Sequence, residues 1–556
     1  MYALALSLVV TAPLLAPGYV LLRDAVSTPR SYLSDSAIGL TEAAPRALPQ
    51  DFMVALASSV LDGGVVVKIL LVAGLWLAGW GAARLTATVL PETGVAGQCV
   101  AATIAIWNPY VAERLLQGHW SLLVGYGCLP WVATAMLRLR TSQAAPFSGA
   151  CALLFFIALA GLTPTGLMLA ATVALTCVFA PGAGQRRWLC AALGLGAAVL
   201  VALPWLTASM VADSLSSSQA QGVPAFAARA EPGLGTLGTL ASLGGIWNAE
   251  AVPASRTTLF AVIAAVVLLG VVAVGLPVLV RRPVAVPLLI LAAVAVVVPA
   301  AMATGPGLAL AEAAIRELPG LGVARDGQKW VALGMPGYAL AGAAAVGVLR
   351  ARLPAAATAL LVCAALVATL PDLAWGVGGR ISAVRYPPGW TAAAELIKAD
   401  PRLVAVLPVD SMRRFAWAGP SPVLDPLPRW VPADVLTTGD LSIAGHTVPG
   451  EGDRARAVQE LLLTGADRQK LADAGVGWVV VESSGGTGNA AADLPLPVAY
   501  RDADLTVYRV GGDHPAASGR GIVLAAHLGW LGALITGLAG MVVALRRRRR
   551  MPASTA

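Results

Sequence analysis

Long apolar stretches constrain the fold of this chain more than any other feature of its sequence. A helix needs about 20 apolar residues to cross the hydrocarbon core of a bilayer. Such stretches recur along the chain and predict about twelve spans, at 2–22, 64–83, 88–107, 119–137, 147–162, 166–181, 188–210, 257–279, 283–303, 330–349, 354–375 and 521–544. We separate 147–162 from 166–181 because Thr163 and Pro164 break the run with turn-forming residues. The predicted fold class is therefore a polytopic α-helical membrane protein.

The charge content agrees with this class and excludes others. Of the 556 residues, 57% are hydrophobic and only 12% are charged, whereas soluble domains carry about 25% charged residues. This composition excludes a soluble enzyme and a disordered chain. The formal net charge is +8, and Arg546 to Arg550 place five positive charges in one terminal run. A basic run beside an apolar helix is typical of membrane topology, so we expect a lipid bilayer and no nucleic acid as the partner.

The distribution of arginine predicts the orientation of the chain. Short loops on the cytoplasmic side of a membrane are enriched in Arg and Lys. If the N-terminus is cytoplasmic, every junction on that side receives arginine, namely Arg84, Arg138, Arg140, Arg186, Arg187, Arg281, Arg282, Arg350, Arg352 and Arg546 to Arg550. We therefore predict a plasma-membrane (inner-membrane) protein with both termini in the cytoplasm.

One segment, 376–520, differs from the rest in composition and predicts a separate domain. Its charge density is higher, and it contains short β-branched runs at 402–408, 475–482 and 505–510, with helical spacing at 453–474. We predict an extracytoplasmic α/β domain there. The other predicted units are a multi-pass domain, 1–375, and a final helix with an Arg-rich tail, 521–556.

Acidic residues in the first predicted outer loop, 23–63, are candidates for a catalytic base. Asp24 directly follows the first predicted span, and Asp35 and Asp51 lie further along the loop. A carboxylate at the boundary between water and membrane can act as a general base, although Asp24 could equally mark the end of a helix beside Arg23. The loop also contains a pattern of apolar and small polar residues at 50–61 that predicts a helix at the membrane interface, or one packed on other loops.

Two further clusters of polar residues lie at predicted outer ends of spans. Tyr110, Glu113, Arg114 and His119 occupy a short connection between two tryptophans, and they predict a polar pocket, an ordinary interfacial hairpin or a structural ion pair. Arg325 and Lys329 are four residues apart before the span at 330–349 and would share a face if the helix began early. Two cations at a helix N-terminus suit a phosphate. The alternative is that both side chains reach to lipid headgroups.

The sequence gives little support for a metal-dependent or nucleotide-hydrolysing activity. Asp502 and Asp504 form an Asp-x-Asp pattern, but they directly precede a predicted strand, so we interpret them as a turn. The sequence has no Gly-rich phosphate loop followed by Lys-Ser or Lys-Thr. No cofactor is therefore assigned, and a divalent cation is left open.

The arrangement of these features resembles the GT-C class of membrane glycosyltransferases. The resemblance is carried by the acidic residue after the first span, the outer loop with its helix, the many spans and the C-terminal domain. The motifs PRALP at 45–49 and AGWGAAR at 78–84 and the run 107–131 are similar to actinobacterial envelope proteins of the mannosyl- and arabinofuranosyltransferase type.

The resemblance implies an enzyme that moves a sugar from a polyprenyl-phosphate donor to an envelope glycan or glycolipid outside the membrane. It implies that Asp24 is the essential acid, with Asp35 and Asp51 as alternatives, and that Arg325, Lys329 and Arg114 bind the donor phosphate. Glu113, His119 and Tyr110 would line the substrate pocket. Arg23 departs from the pattern of some members, because a pair with Asp24 would lower the basicity of the acid.

Two functions from other classes compete with a transferase. A transporter would place ionisable groups near the middle of its spans, and here Lys68, Glu92 and Asp372 lie near span ends. A non-catalytic scaffold of envelope assembly is a less favoured alternative that is also compatible with the sequence.

Overall fold

A computed structural model of the protein describes residues 1–41, 47–143, 146–211, 222–408, 411–443, 446–448, 450, 452–483, 494–514 and 517–550. Two of the residues in the motif at 45–49, and the chain after 550, lie outside this set. The described chain is mostly helical, with short strands at the N-terminus and between 383 and 509.

Sixteen of the described α-helices begin before the predicted C-terminal domain. They are α1 (Tyr2–Thr11), α2 (Gln50–Ala57), α3 (Gly63–Val89), α4 (Gly94–Ile106), α5 (Pro109–Gln117), α6 (Trp120–Thr141), α7 (Pro146–Ala160), α8 (Pro164–Val178), α9 (Arg187–Val211), α10 (Gly235–Ala241), α11 (Phe260–Val280), α12 (Val286–Met302), α13 (Gly305–Glu317), α14 (Met335–Leu349), α15 (Ala355–Ala368) and α16 (Ala374–Gly378).

Five more α-helices and eleven strands follow among the described residues. The helices are α17 (Pro388–Ala399), α18 (Leu427–Trp430), α19 (Asp453–Leu463), α20 (Arg468–Asp473) and α21 (Arg520–Arg550). The strands are β1 (Tyr19–Leu22), β2 (Ala25–Val26), β3 (Ala383–Val384), β4 (Val404–Leu407), β5 (Met412–Arg413), β6 (Val423–Leu424), β7 (Leu441–Ile443), β8 (His446–Val448), β9 (Trp478–Glu482), β10 (Val498–Arg501) and β11 (Leu505–Arg509).

Six helices in the described chain are long and apolar enough to cross a membrane. These are Gly63–Val89, Trp120–Thr141, Arg187–Val211, Phe260–Val280, Gly327–Leu349 and Arg520–Arg547. The number rises to eight if two sharply bent pairs each count as one span. Shorter apolar helices cover Tyr2–Leu15, Pro146–Ala160 and Pro164–Val178. A membrane protein with several spans follows from these helices, and a total of about twelve stays a prediction.

The first predicted span, 2–22, is wrong beyond Leu15. α1 ends at Thr11, a 3-10 helix covers Ala12–Leu15, and the chain enters β1 at Tyr19. Pro17 and Gly18 prevent the helix from continuing, since Gly18 adopts a φ of +129°. The apolar residues of 19–22 are instead buried in a strand.

Two other predicted spans are displaced or bent, and a third is followed by a sharp bend. The predicted helix 88–107 starts later, at Gly94, because α3 continues to Val89. α12 is followed by α13 at an angle of 93°, and α15 is followed by a second bend of 78° before Pro371–Gly378. Proline and glycine at these breaks explain the bends. The predicted break at Thr163 and Pro164 is confirmed, because Thr163 caps α8 and accepts a hydrogen bond from the backbone N–H of Gly166.

The centre of the bundle consists of α3, α4, α6 and α14. Glycine permits a close approach between α3 and α6: a Cβ at Gly127 would lie 2.1 Å from the backbone oxygen of Gly74. Small residues let membrane helices approach to backbone contact. The remaining long helices surround this centre and expose apolar side chains outward, as a lipid environment requires.

Contacts between predicted cytoplasmic junctions place them at one end of the bundle. Arg138 donates a hydrogen bond of 3.5 Å to Thr88 at the end of α3, and Arg282 forms a salt bridge with Glu92. Arg350 bonds to the carbonyl of Glu92, and Arg140 bonds to the carbonyl of Gln185. The arginine-rich junctions therefore share one end, as the orientation rule requires.

Residues 383–509 contain a four-stranded sheet in the order β10-β11-β9-β4. β4 and β9 are parallel and the other pairs are antiparallel. The predicted strands at 402–408, 475–482 and 505–510 are confirmed, and the helical pattern at 453–474 forms α19 and α20. Asp502 is a turn residue, as predicted, since its carboxylate accepts bonds from the backbone of Asp504 and Leu505 at 2.9 Å.

The N-terminal strand pair joins the two parts of the chain. β1 pairs with β2 on one side and with β3 on the other, so that Tyr19 lies opposite Val384. Arg23, at the turn after β1, exchanges backbone bonds with Pro422 and Leu424 at 2.8 and 2.9 Å. The loop after α1 therefore contacts the sheet-containing part of the chain directly.

Candidate active site

Asp24 lies at the tip of a β-hairpin and not at the end of a helix. Leu22 pairs with Ala25, so Arg23 and Asp24 form a two-residue turn. Arg23 adopts a left-handed conformation with a φ of +48°, which such hairpin turns require. The interpretation of Asp24 as a helix end is therefore wrong.

Arg23 points away from Asp24. Its guanidinium donates to the carbonyl of Leu116 at 2.6 Å and to the carbonyl of Glu250 at 3.1 Å, and its charge is 3.5 Å from the Glu250 carboxylate. The expectation that Arg23 pairs with Asp24 is therefore wrong. Arg23 instead ties the hairpin to α5 and to the segment around 250.

α5 carries the second predicted cluster to the hairpin. Asn108 caps its first turn by accepting from the N–H of Val111, and Gly118 ends it with a φ of +84°. A side chain at Gly118 would lie 2.3 Å from the backbone nitrogen of Ala25. Glycine is needed there because the end of α5 touches the hairpin backbone. This contact places His119 beside Asp24.

Asp24 receives two side chains from the end of α5, both at the same oxygen. Gln117 Nε2 donates to Asp24 Oδ2 at 3.0 Å, and His119 Nε2 lies 3.0 Å from that atom. Burial alone would raise the pKa of Asp24, but the hydrogen bonds from His119 and Gln117 and the nearby charge of Lys329 hold it below its usual value. The Asp24 side chain is still 41% exposed. Asp24 is therefore an ionised carboxylate that a solute can reach.

Behind His119, Arg114 is bound on several sides. Its two terminal nitrogens lie 2.8 and 3.1 Å from the carboxylate oxygens of Asp326, and one of them also contacts Gln328. Burial would raise the pKa of Asp326, but Arg114 and Lys329 lower it to about 2. The Arg114 side chain is fully buried. Its positive charge is therefore neutralised inside the protein, by Asp326.

Lys329 and Arg325 lie near this pair but do not share a helix. Two 3-10 helices, Pro319–Ala324 and Gly327–Gly334, flank Arg325 and Asp326. The expectation that an early α-helix aligns Arg325 with Lys329 is therefore wrong. Lys329 Nζ is 3.9 Å from Asp326 Oδ2, and its side chain is 23% exposed. The guanidinium of Arg325 stacks 4.0 Å from the ring centre of Phe226.

Glu113 and Tyr110 are fully buried and support the other residues. Glu113 accepts bonds from the backbone of Gly245 and Ile246 at 3.1 Å and from Gln328 at 3.0 Å. Burial, together with the charge of Glu231, raises the pKa of Glu113.

The hydroxyl of Tyr110 reaches the carbonyl of Lys329 at 3.4 Å, and its ring lies 5.5 Å from the guanidinium carbon of Arg114. Burial raises the pKa of Tyr110, so this hydroxyl stays protonated. Both residues thus hold Arg114 and the segment around 328 in place.

The alternative acids lie elsewhere. Asp35 forms a salt bridge with Arg520 at the start of α21 and accepts a bond from the backbone of Ala517 at 3.1 Å. Asp51 pairs with Arg429 of α18 at 3.1 Å. These contacts tie the loop 23–63 to other elements. The structure brings together Asp24, His119, Arg114 and Lys329, and leaves Asp35 and Asp51 outside that group.

Three residues of the cluster were not among the sequence candidates: Gln117, Asp326 and Gln328. The sequence could have indicated Asp326, because it lies between Arg325 and Lys329 and an acid beside two cations can form an ion pair. The partner itself is distant in sequence, and spacing could not identify it.

An apolar crevice lies beside this cluster. Leu22, Ala25, Gly118 and Trp120 are among the residues that line it. These residues flank Asp24 and His119 in the chain. Among the described residues, no three His, Cys, Asp or Glu side chains are grouped so that they could hold a metal ion.

No protein-family model matches the chain, and no curated protein matches it. Two solved cryo-EM structures of a mutant of the arabinofuranosyltransferase AftD from Mycobacteria, in two classes, align with 92% of the chain. The identities are 16% and 14% and the TM-scores are 0.49 and 0.46. The chain spans 41% of the length of that protein, and likeness at this level transfers no activity, substrate or partner to it.

Proposed function

We propose that the protein is a membrane glycosyltransferase of the GT-C class. It moves a sugar, mannose or arabinofuranose, from a polyprenyl-phosphate donor to an envelope glycan or glycolipid on the outer side of the plasma membrane. The observation that carries the proposal is the position of Asp24. This ionised, accessible carboxylate lies within electrostatic reach of the accessible Lys329.

The reaction needs two groups of opposite charge, and the cluster offers both. Asp24 takes the proton of the acceptor hydroxyl as the hydroxyl oxygen attacks the anomeric carbon. The bond from that carbon to the phosphate oxygen breaks, and the polyprenyl phosphate leaves with the electron pair. Lys329, with Arg325, stabilises the negative charge that grows on this leaving group.

Arg114 has a different part in this scheme. Asp326, Gln328 and His119 contact both of its terminal nitrogens, and the side chain is buried. We therefore assign the donor phosphate to Lys329 and Arg325, and we give Arg114 a positioning role.

The location of the cluster supports a reaction outside the cell. The arginine-rich junctions gather at one end of the bundle, whereas the hairpin with Asp24 contacts the segment 383–424. If the arginine-rich end is cytoplasmic, the cluster of Asp24, His119, Arg114 and Lys329 faces the outside. A sugar activated by a lipid phosphate is a suitable donor there, because it does not depend on a nucleotide. The predicted domain 376–520 would bind or orient the acceptor.

Glycan and lipid profiling of a deletion strain tests the proposal. We expect a truncated envelope glycan or an accumulated acceptor, restored by the wild-type gene but not by Asp24→Asn. Restoration by Asp35→Asn and Asp51→Asn is the matched control. A deletion strain with an unaltered glycan profile would refute the proposed function.

A further inference from the structure

A continuous chain of contacts leads from Asp326 through Arg114 and His119 to Asp24. Arg114 Nη1 lies 2.8 Å from Asp326 Oδ2 and 3.1 Å from His119 Nδ1. On the other side of the ring, His119 Nε2 lies 3.0 Å from Asp24 Oδ2. Each ring nitrogen of His119 therefore has one partner: the Arg114 guanidinium at Nδ1 and the Asp24 carboxylate at Nε2.

The character of Arg114 decides where the proton of His119 resides. A guanidinium has N–H donors only and no acceptor, and it stays charged in proteins. His119 Nδ1 must therefore accept from Arg114 and carries no proton. A neutral imidazole has one N–H, and that proton is then on Nε2, which faces the Asp24 carboxylate.

We propose that Arg114 fixes His119 as the neutral Nε2–H tautomer, and that His119 is a positioning residue that presents Asp24 for catalysis. The role in catalysis rests on the proposed function, whereas the tautomer does not. His119 is not a base in this scheme, because its one lone pair is occupied by Arg114.

Burial, more than the surrounding charges, favours the neutral ring of His119. Arg114 from α5 and Lys329 from the 3-10 helix oppose a positive imidazolium, while Asp24 from the hairpin and Asp326 beside Lys329 favour it. Burial is the largest influence, and with the two cations it lowers the pKa of His119 in spite of Asp24. The ring therefore stays neutral where an ordinary histidine would titrate.

The arrangement also distinguishes the two oxygens of Asp24. His119 and Gln117 both approach Oδ2, which leaves Oδ1 to receive the proton of the acceptor. In that step the acceptor O–H bond breaks and an Oδ1–H bond forms. His119 and Gln117 thereby hold the carboxylate in one orientation, and orientation of a reacting group to within about 1 Å can change a rate by about 100-fold.

Nitrogen NMR tests the tautomer without any assay of activity. The protein has four histidines, so ¹⁵N-histidine labelling in nanodiscs gives few signals, and the signal lost in His119→Gln identifies His119. We expect an unprotonated Nδ1 and a protonated Nε2 that do not change between about pH 5.5 and 8. A protonated Nδ1, or a ring that titrates in this range, would overturn the proposal even if the protein transfers sugar.

Substitution tests the positioning role. The amide nitrogen of glutamine can replace Nε2–H as a donor to Asp24, whereas the shorter asparagine cannot reach it. We expect His119→Asn to lower kcat by about 100-fold and His119→Gln to retain most of the activity, with the KM for the donor unchanged in both. Equal loss in the two variants would overturn the positioning role. Absence of transfer by the wild type would refute the proposed function and leave the tautomer to the NMR result.

Discussion

Arg114 and Asp326 are 212 positions apart in the chain and form a buried two-point salt bridge with distances of 2.8 and 3.1 Å. The side chains are 0% and 4% exposed. The pair joins α5 to the start of the span that contains α14. It therefore fixes the position of the segment around His119 relative to the segment around Lys329.

Breaking this pair should destabilise the protein strongly. Arg114→Gln leaves the Asp326 carboxylate buried without its main cation, and removal of one partner of a buried pair costs about 3–5 kcal/mol. Chemical unfolding in mixed micelles, followed by tryptophan fluorescence, gives the free energy of unfolding. The double variant Arg114→Gln/Asp326→Asn should recover much of the loss, because it leaves no unpaired charge.

The matched control is the exposed salt bridge between Arg316 and Glu312, whose side chains are 60% and 36% exposed. Arg316→Gln should change the stability by less than about 1 kcal/mol. If Arg114→Gln were as mild as this control, the buried pair would not hold the cluster together.

Lys329 should affect donor use through its charge. Lys329→Gln should raise the KM for a polyprenyl-phosphate sugar and lower kcat, because the charge on the leaving group grows in the transition state. Lys329→Arg should retain more activity, since it keeps the charge. Initial rates against donor concentration in nanodiscs measure both effects. Unaltered kinetics in Arg325→Gln/Lys329→Gln would remove both residues from the site.

A buried acid pair in the C-terminal part should make stability depend on pH. Glu482 and Asp425 lie 2.7 and 3.5 Å from nitrogens of Arg413, and all three side chains are at most 3% exposed. Burial, and then the charge of Asp425, raises the pKa of Glu482 well above its ordinary value of 4.5. The folded state therefore binds a proton at Glu482 that the unfolded state releases as pH rises above that value.

The stability contributed by this proton is fully present below the ordinary pKa of an unfolded glutamate and is lost as the pH rises through the folded pKa. Glu482→Gln mimics the protonated side chain, so it should stabilise the protein at pH 8 relative to the wild type and have little effect at pH 5. Unfolding measured at both values tests this. Glu460→Gln, at an exposed position, is the control, and an equal effect of the two variants would contradict the account.

Reporter fusions test the orientation. Fusions after Arg140, Arg187, Arg282 and Arg352 should report the cytoplasm, and fusions within 376–520 should report the outside. A cytoplasmic signal from a fusion near 450 would place the segment that contacts the Asp24 hairpin on the wrong side for a lipid-linked donor.

Local patterns allowed much of the fold to be predicted. Thr163 and Pro164 combine a helix cap with a residue that favours the first turn, so the break before α8 was visible. Three consecutive valines in Trp478–Glu482 form a β-branched run with no helix- or strand-breaking residue, so this strand could also be predicted. The helix of the first outer loop was predicted at 50–61 and is found at Gln50–Ala57.

Long-range pairing explains what could not be predicted. Tyr19–Leu22 is apolar and follows a helix, so hydropathy alone extends the helix; the strand forms because Ala25–Val26 and Ala383–Val384 satisfy its backbone. The same limit applies to the site. Asp24 was identified from its place after an apolar stretch, but its two partners at the end of α5, and the role of Asp326, depend on contacts that no spacing in the sequence encodes.

The most direct test of the central claim is sugar transfer by the purified protein in nanodiscs from a radiolabelled polyprenyl-phosphate sugar to an acceptor isolated from the deletion strain. Wild type should transfer label, and Asp24→Asn should lose at least about 100-fold of the rate, since general-base catalysis contributes roughly 10²–10⁴-fold, while its abundance and unfolding midpoint stay unchanged. Asp51→Asn should transfer like the wild type. Equal rates for Asp24→Asn and wild type would contradict the account.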